Sequence, residues 1–180
     1  MTTIAIDIDN TLADYTGALR DTARRLGFTG PCPDPTAYEF GGTDGWPWED
    51  TAGFPAFHRK AVETGLYLRE PVMPGACDAL HVMNGLGWRI IIATAREDDP
   101  YGDTRRWLDS HDIPYDGLYF GDKSVLDADV LIDDRPDTIR AAHGRGLTVL
   151  HPGHAYCRDL PGIAFDAWDD VPALLMKELR

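Results

Sequence analysis

"IAIDIDNTLADY", residues 4–15, is an apolar run that ends in two acids one residue apart. Strand side chains alternate between faces, so Asp7 and Asp9 would point the same way on any strand continued through them. Two like charges held that close repel, and one tends to stay protonated unless a cation lies between them. A soluble strand end has no need of this arrangement. The pair predicts a metal site, a proton-transfer role, or both.

Outward from this stretch, further apolar runs read as buried strands. With residues 4–8 they are 89–93, 118–120, 130–132 and 147–150, rich in Ile, Val and Leu. They lack clean polar alternation, which suits a parallel sheet covered on both faces. Helical patterns fall between them, at 74–87, 101–113 and 135–146, and a last one begins at 171. Strand and helix alternate, which predicts an α/β domain with a doubly wound parallel sheet. Residues 15–71 break the rhythm. Two helical patterns, 15–27 and 56–68, flank a stretch full of Gly, Pro and aromatics. A connection this long is better read as an inserted helical cap than as a loop. The expected organisation is a core of residues 1–14 and 72–180 with a cap of 15–71.

The chain has 180 residues, 43% hydrophobic and 26% charged, ordinary for a globular protein. Its formal net charge of -13 argues against a nucleic-acid partner, because duplex binding relies on clustered Lys and Arg. A small anionic substrate needs only local positive charge or a metal. Cys32, Cys77 and Cys157 are odd in number and widely spaced, so no disulfide framework or zinc knuckle is indicated. No basic start with an apolar signal region is seen, and no run approaches the roughly 20 apolar residues that span a bilayer. The expectation is a cytoplasmic protein with reduced thiols and no membrane partner. A homodimer stays open.

Ligands of open α/β sheets gather beyond the carboxyl ends of the strands. Those ends carry Asp7, Asp9 and Thr11, then Thr94 and Arg96, then Lys123, then Asp133 and Asp134. Four carboxylates cannot share a small volume with one ammonium unless a cation joins them. All-oxygen ligation favours a hard ion, and magnesium is the usual choice beside phosphate. "GDKS" (121–124) lacks the spaced glycines of a phosphate loop. His151 and His154 in "HPGHAY" lack a third ligand and read as a plain loop. The cap aromatics Tyr38, Phe40, Trp46, Trp48, Phe54 and Phe57 have two readings, the core of the cap or an apolar slot for a nucleobase. Trp46 and Trp48 flank a proline in a glycine-rich loop, a poor place for core packing. They, with Phe40, are the expected base contacts, at about 1–3 kcal/mol per stacked base.

"DIDNT" (7–11), "ATAR" (93–96), "GDKS" (121–124) and "LIDDRPD" (131–137) together resemble the four motifs of the haloacid dehalogenase-like phosphohydrolases. The Lys123-to-Asp133 spacing and the last string are similar to those of the 5'(3')-deoxyribonucleotidases, which also carry a small helical cap at this point. The resemblance implies a magnesium-dependent phosphomonoesterase acting on (deoxy)nucleoside monophosphates. Asp7 would be the nucleophile, forming an aspartyl-phosphate, and Asp9 the acid and base. Thr94 and Lys123 would hold phosphate oxygens, and Thr11 would support the nucleophile loop. Magnesium would be held by Asp7, the backbone carbonyl of Asp9, and Asp133, with Asp134 in the outer shell. One departure is Ala95–Arg96, where those relatives place a small residue and a proline. Arg96 would either add a phosphate contact or pair with an acid. The alternatives kept are another small phosphomonoester, a polynucleotide 3' end, a protein that only binds, and a phosphorylatable receiver domain. A receiver has adjacent acids early and its lysine last, the reverse of the order found here.

Overall fold

The computed structural model describes residues 1–39, 44–50, 52–96, 99 and 102–179. The strands are β1 (Thr3–Ile6), β2 (Arg89–Thr94), β3 (Gly117–Phe120), β4 (Val130–Ile132), β5 (Thr148–Pro152) and β6 (Ile163–Phe165). They form one sheet in the order β3-β2-β1-β4-β5-β6, every pair parallel. The helices are α1 (Tyr15–Arg25), α2 (Gly53–Glu63), α3 (Leu66–Arg69), α4 (Ala76–Gly85), α5 (Asp103–Ser110), α6 (Pro136–Gly144) and α7 (Val171–Glu178). The α/β doubly wound fold expected from the sequence is the one observed.

Alternation along β1 divides the core. Ile4 and Ile6 pack on one face with Leu80 and Met83 of α4, Trp107 and Leu108 of α5, and Leu175 of α7. Ala5 faces the other way, into a smaller cluster with Leu131 of β4 and Ile139 and Ala142 of α6. Helices thus cover both faces, and every strand between them can be apolar throughout. The order reverses at β1 and β4, so the crevice at their carboxyl ends is the topological switch point where such sheets bind ligands.

Local chemistry explains the element ends. Asp14 caps α1 by accepting a bond from Gly17 N at 2.8 Å, and Arg24 and Arg25 lie in its last turn, where they favour the dipole. Pro136 opens α6. The expected helix over 56–68 begins earlier, at Gly53, and is cut in two by Gly65 at φ 85°, a conformation that favours glycine. β1 is shorter than expected. Asp7 N still bonds Ile132 O at 2.9 Å, but then Thr11, Leu12 and Ala13 all turn back onto the carbonyl of Ile8. Asn10 takes a positive φ of 55° in this turn. β6 went unread in the sequence because three residues, one an alanine, carry no periodic signal.

Residues 15–69 contribute a separate apolar cluster. Trp46 and Trp48 sit inside it with Tyr15, Leu19, Val62 and Leu66. They are only 4% and 7% exposed, stacked on each other with centroids 5.2 Å apart. Trp48 also meets Phe54 and Phe57, and Trp46 Nε1 donates to Pro33 O at 3.1 Å. Of the two readings of these rings, the structure displays the packed one: the proline-rich loop folds inward and buries them. Phe40 lies outside the described residues. Trp46→Ala is therefore expected to destabilise the protein by about 3–5 kcal/mol, read as a lower denaturant midpoint. It should lower activity on a nucleotide and on a small artificial ester alike. A loss confined to the nucleotide would restore the base-slot reading.

Candidate active site

The carboxyl ends of β1 to β4 each bring a charged or hydroxyl side chain to the switch point. Asp7 follows β1, Thr94 ends β2, Lys123 opens a short turn after β3, and Asp133 and Asp134 follow β4. Lys123 Nζ lies between two carboxylates, 2.7 Å from Asp7 Oδ1 and 2.8 Å from Asp133 Oδ2. Asp134 accepts a bond from the Tyr156 hydroxyl at 2.6 Å, and Asp133 accepts one from Arg135 N at 2.8 Å. Oxygens of Asp7, Asp133 and Asp134 all come within 4.8 Å of one another, and all three residues are buried.

Burial is the largest influence on these acids. It pushes the Asp7 carboxyl up to about 7, with Asp133 and Asp9 adding to the rise and Lys123 opposing it. Asp134 is raised by burial and then by Asp7 and Asp133. Burial disfavours the Lys123 ammonium, but its two carboxylate partners outweigh that and raise its pKa. Three carboxylates against one ammonium leave a buried negative excess. A hard cation with oxygen ligands fits that donor set.

Asp9 goes elsewhere. The turn after Ile8 separates it from Asp7, and its carboxylate receives Arg96 Nε at 3.2 Å and Nη2 at 2.6 Å. Arg96 also pairs with Glu70 and stands 3.9 Å over the Tyr67 ring. Of the two readings of Arg96, this structure displays the acid pairing. Glu70 was not found in the sequence. A single glutamate before a proline carries no signal, and only the packing places it beside Arg96. Burial raises its pKa well above the ordinary carboxylate value, with Arg96 pulling against the rise.

Thr94 is fully buried, and its hydroxyl accepts a bond from Arg96 N at 3.2 Å. Thr11 is placed differently. Its carbonyl accepts Trp168 Nε1 at 2.9 Å, while its hydroxyl is buried with no partner among the described residues. It borders a cavity of about 380 Å³ shared with Met73, His154 and Trp168. The two histidines at the end of β5 and after it both meet backbone carbonyls. His154 Nε2 donates to Asn10 O at 2.7 Å, and His151 Nδ1 meets Pro152 O at 3.2 Å, so the two rings do not converge. A second cavity, of about 460 Å³, opens beside Lys123 and is lined by Ala95, Gly121, Ser124, Arg135 and Thr138. Tyr38 reaches this edge. Its ring meets that of Tyr156 at 5.9 Å and lies 5.8 Å from the Arg135 guanidinium.

The chain is 16% identical to a haloacid dehalogenase-like hydrolase of Streptococcus pneumoniae, with a TM-score of 0.63 over 100% of this chain and 99% of that one. A subfamily IA hydrolase of the same superfamily from Geobacter sulfurreducens gives a TM-score of 0.59 at 13% identity, covering 97% and 100%. These likenesses show the fold. A protein of Chlorobaculum tepidum, provisionally named a 5'(3')-deoxyribonucleotidase, is 31% identical over 176 residues, 93% of this chain and 87% of that protein. Residues 1–179 match the family described as 5' nucleotidase, deoxy (pyrimidine), cytosolic type C. The chain, haloacid dehalogenase-like in its fold, belongs to that 5'-nucleotidase family of phosphatases.

Proposed function

We propose that this protein removes phosphate from deoxynucleoside monophosphates with the help of Mg²⁺, and that residues 15–71 act as its cap. The observation that carries the reading is the convergence of Asp7, Asp133 and Asp134 on Lys123 at the switch point. Asp7, Asp133 and Asp134 would hold the ion, with the backbone carbonyl of Asp9. When bound, it would supply the positive charge that lets a carboxylate approach a phosphate dianion. Asp7 attacks phosphorus, and the bond to the leaving oxygen breaks. Asp9, 30% exposed in its side chain, gives that oxygen a proton. It then takes a proton from the water that cleaves the aspartyl-phosphate, which restores Asp7 and releases inorganic phosphate. Lys123 and Thr94 hold the phosphate oxygens.

The test is phosphate release by the purified protein from deoxynucleoside monophosphates and from sugar phosphates, with Mg²⁺ and with excess chelator. Faster release from nucleotides, lost in chelator and restored by Mg²⁺, is expected. Full activity with no metal bound would refute the metal assignment, and a preference for sugar phosphates would refute the substrate.

A thermal measurement checks the metal without activity. The folded-state pKa of Asp7, about 7, lies above its ordinary value of 3.8. Between those values the folded protein binds the extra proton, so ionising Asp7 weakens the metal-free fold as pH rises through about 4 to 7. Mg²⁺ competes with that proton and offsets the charge. The rise in Tm on adding Mg²⁺ should be larger at pH 8 than at pH 5, by about 5 °C at saturating ion. An equal rise at both values would place the ion elsewhere.

A further inference from the structure

Arg96 is held on every side. Nη1 donates to Thr104 Oγ1 at 3.2 Å, Nη2 donates to Glu70 Oε2, and the Tyr67 ring lies under the guanidinium. The remaining edge grips Asp9. The arginine side chain is 1% exposed and that of Glu70 fully buried, whereas that of Asp9 is 30% exposed.

Glu70 sits where the cap segment rejoins the core. Its carbonyl accepts Trp107 Nε1 at 2.7 Å, and the carbonyl of the next residue, Pro71, accepts Asp14 N at 2.8 Å. Its backbone is therefore fixed independently of its carboxylate. The Oε1 atom is buried with no partner, so among the described residues the Glu70 carboxylate is directed at Arg96. A planar guanidinium is a rigid fork, and its angle decides the plane in which a bidentate carboxylate is held. Two donors set the plane of Asp9, and Glu70, Thr104 and Tyr67 set the donors.

We propose that Glu70 is a positioning residue for proton transfer to the leaving group. It holds Arg96, and through that guanidinium the orientation of Asp9, which takes a proton from water as one guanidinium bond is released and then gives it to the leaving oxygen. This rests on the reading of Asp9 as the proton donor. Glu70→Gln keeps the size of the side chain but gives the guanidinium a neutral acceptor in place of a carboxylate, loosening the fork.

The readout is the dependence on leaving group. A nucleoside departs as an alkoxide and needs a proton, whereas p-nitrophenolate departs without one. kcat/KM covers the steps up to departure, so it isolates this event from hydrolysis of the phosphoenzyme. Glu70→Gln should lower kcat/KM about tenfold or more on a deoxynucleoside monophosphate, and less than about threefold on p-nitrophenyl phosphate. Thr104→Val, which removes another anchor of Arg96, should show a smaller loss with the same selectivity. It carries the test if Glu70→Gln does not fold by circular dichroism. Equal effects on both esters, or none, would show that Glu70 only braces the cap junction and would overturn the proposal. Asp9→Asn separates the two levels. If it loses selectively while Glu70→Gln does not, the positioning role fails. If Asp9→Asn is itself unselective, its reading as proton donor fails, and the proposal falls with it.

Discussion

Asp7→Asn is expected to abolish turnover, by about 10⁴-fold or more, while making the metal-free protein more stable at pH 8. The two effects share one cause. Asp7 is buried among other acids, and its carboxyl is pushed up to about 7, so at pH 8 its ionised form weakens the fold. Asparagine removes that charge and leaves Lys123 paired with Asp133 at 2.8 Å. It also removes the only nucleophile proposed for phosphorus. A functional group kept at a cost in stability is the usual signature of a catalytic site. The check is kcat on a deoxynucleoside monophosphate together with Tm in chelator at pH 8. Turnover within about tenfold of wild type would assign the nucleophile elsewhere. A lowered Tm would mean that the carboxylate is instead a net stabiliser of the loop.

Lys123→Met is the second large effect, and it is expected to run the other way on stability. Lys123 is the cation that pairs with both Asp7 and Asp133, and Asp134 lies within the same cluster. Removing one partner of a buried ion pair leaves uncompensated charge and costs about 3–5 kcal/mol. The variant should therefore unfold at a clearly lower denaturant concentration in chelator and recover part of that loss in Mg²⁺. Its turnover should fall about 100-fold, the scale of removing one donor from a developing anion. An unchanged midpoint in chelator would show that Lys123 does not offset the charge of Asp7 and Asp133, and the electrostatic account of the site would have to be redrawn.

Much of the fold was legible in residues 4–8, 89–93 and 130–132, because an apolar strand buried on both faces needs no long-range information to be recognised. The edge on which Asp7, Thr94, Lys123 and Asp133 meet followed from the same pattern. Parallel strands separated by helices put every strand's carboxyl end on one side. Local chemistry also marked the helix ends, at Asp14 and Pro136. The three-residue β6 lay below the length at which periodicity carries information.

The partners of those side chains were decided by the tertiary structure. The spacing of Asp7 and Asp9 put them on one face of a strand, but β1 ends at Ile6 and the turn around Ile8 sends them to different cations. Asp9 meets Arg96 across 87 residues of chain, and Glu70 meets the same guanidinium across 26. No local pattern encodes such pairings, since they depend on where the segment 15–71 returns to the sheet. Trp46 and Trp48 make the same point in the cap. Their neighbours in sequence are glycine, proline and acids, which read as a surface loop. Their neighbours in space are each other, Phe54 and Phe57, because a small cluster excludes water only by drawing in the largest rings within reach. Periodicity and order along the chain determined the sheet, its helices and the edge where charged residues collect. Which charge faces which, and which aromatic is buried, came from packing between segments far apart in sequence.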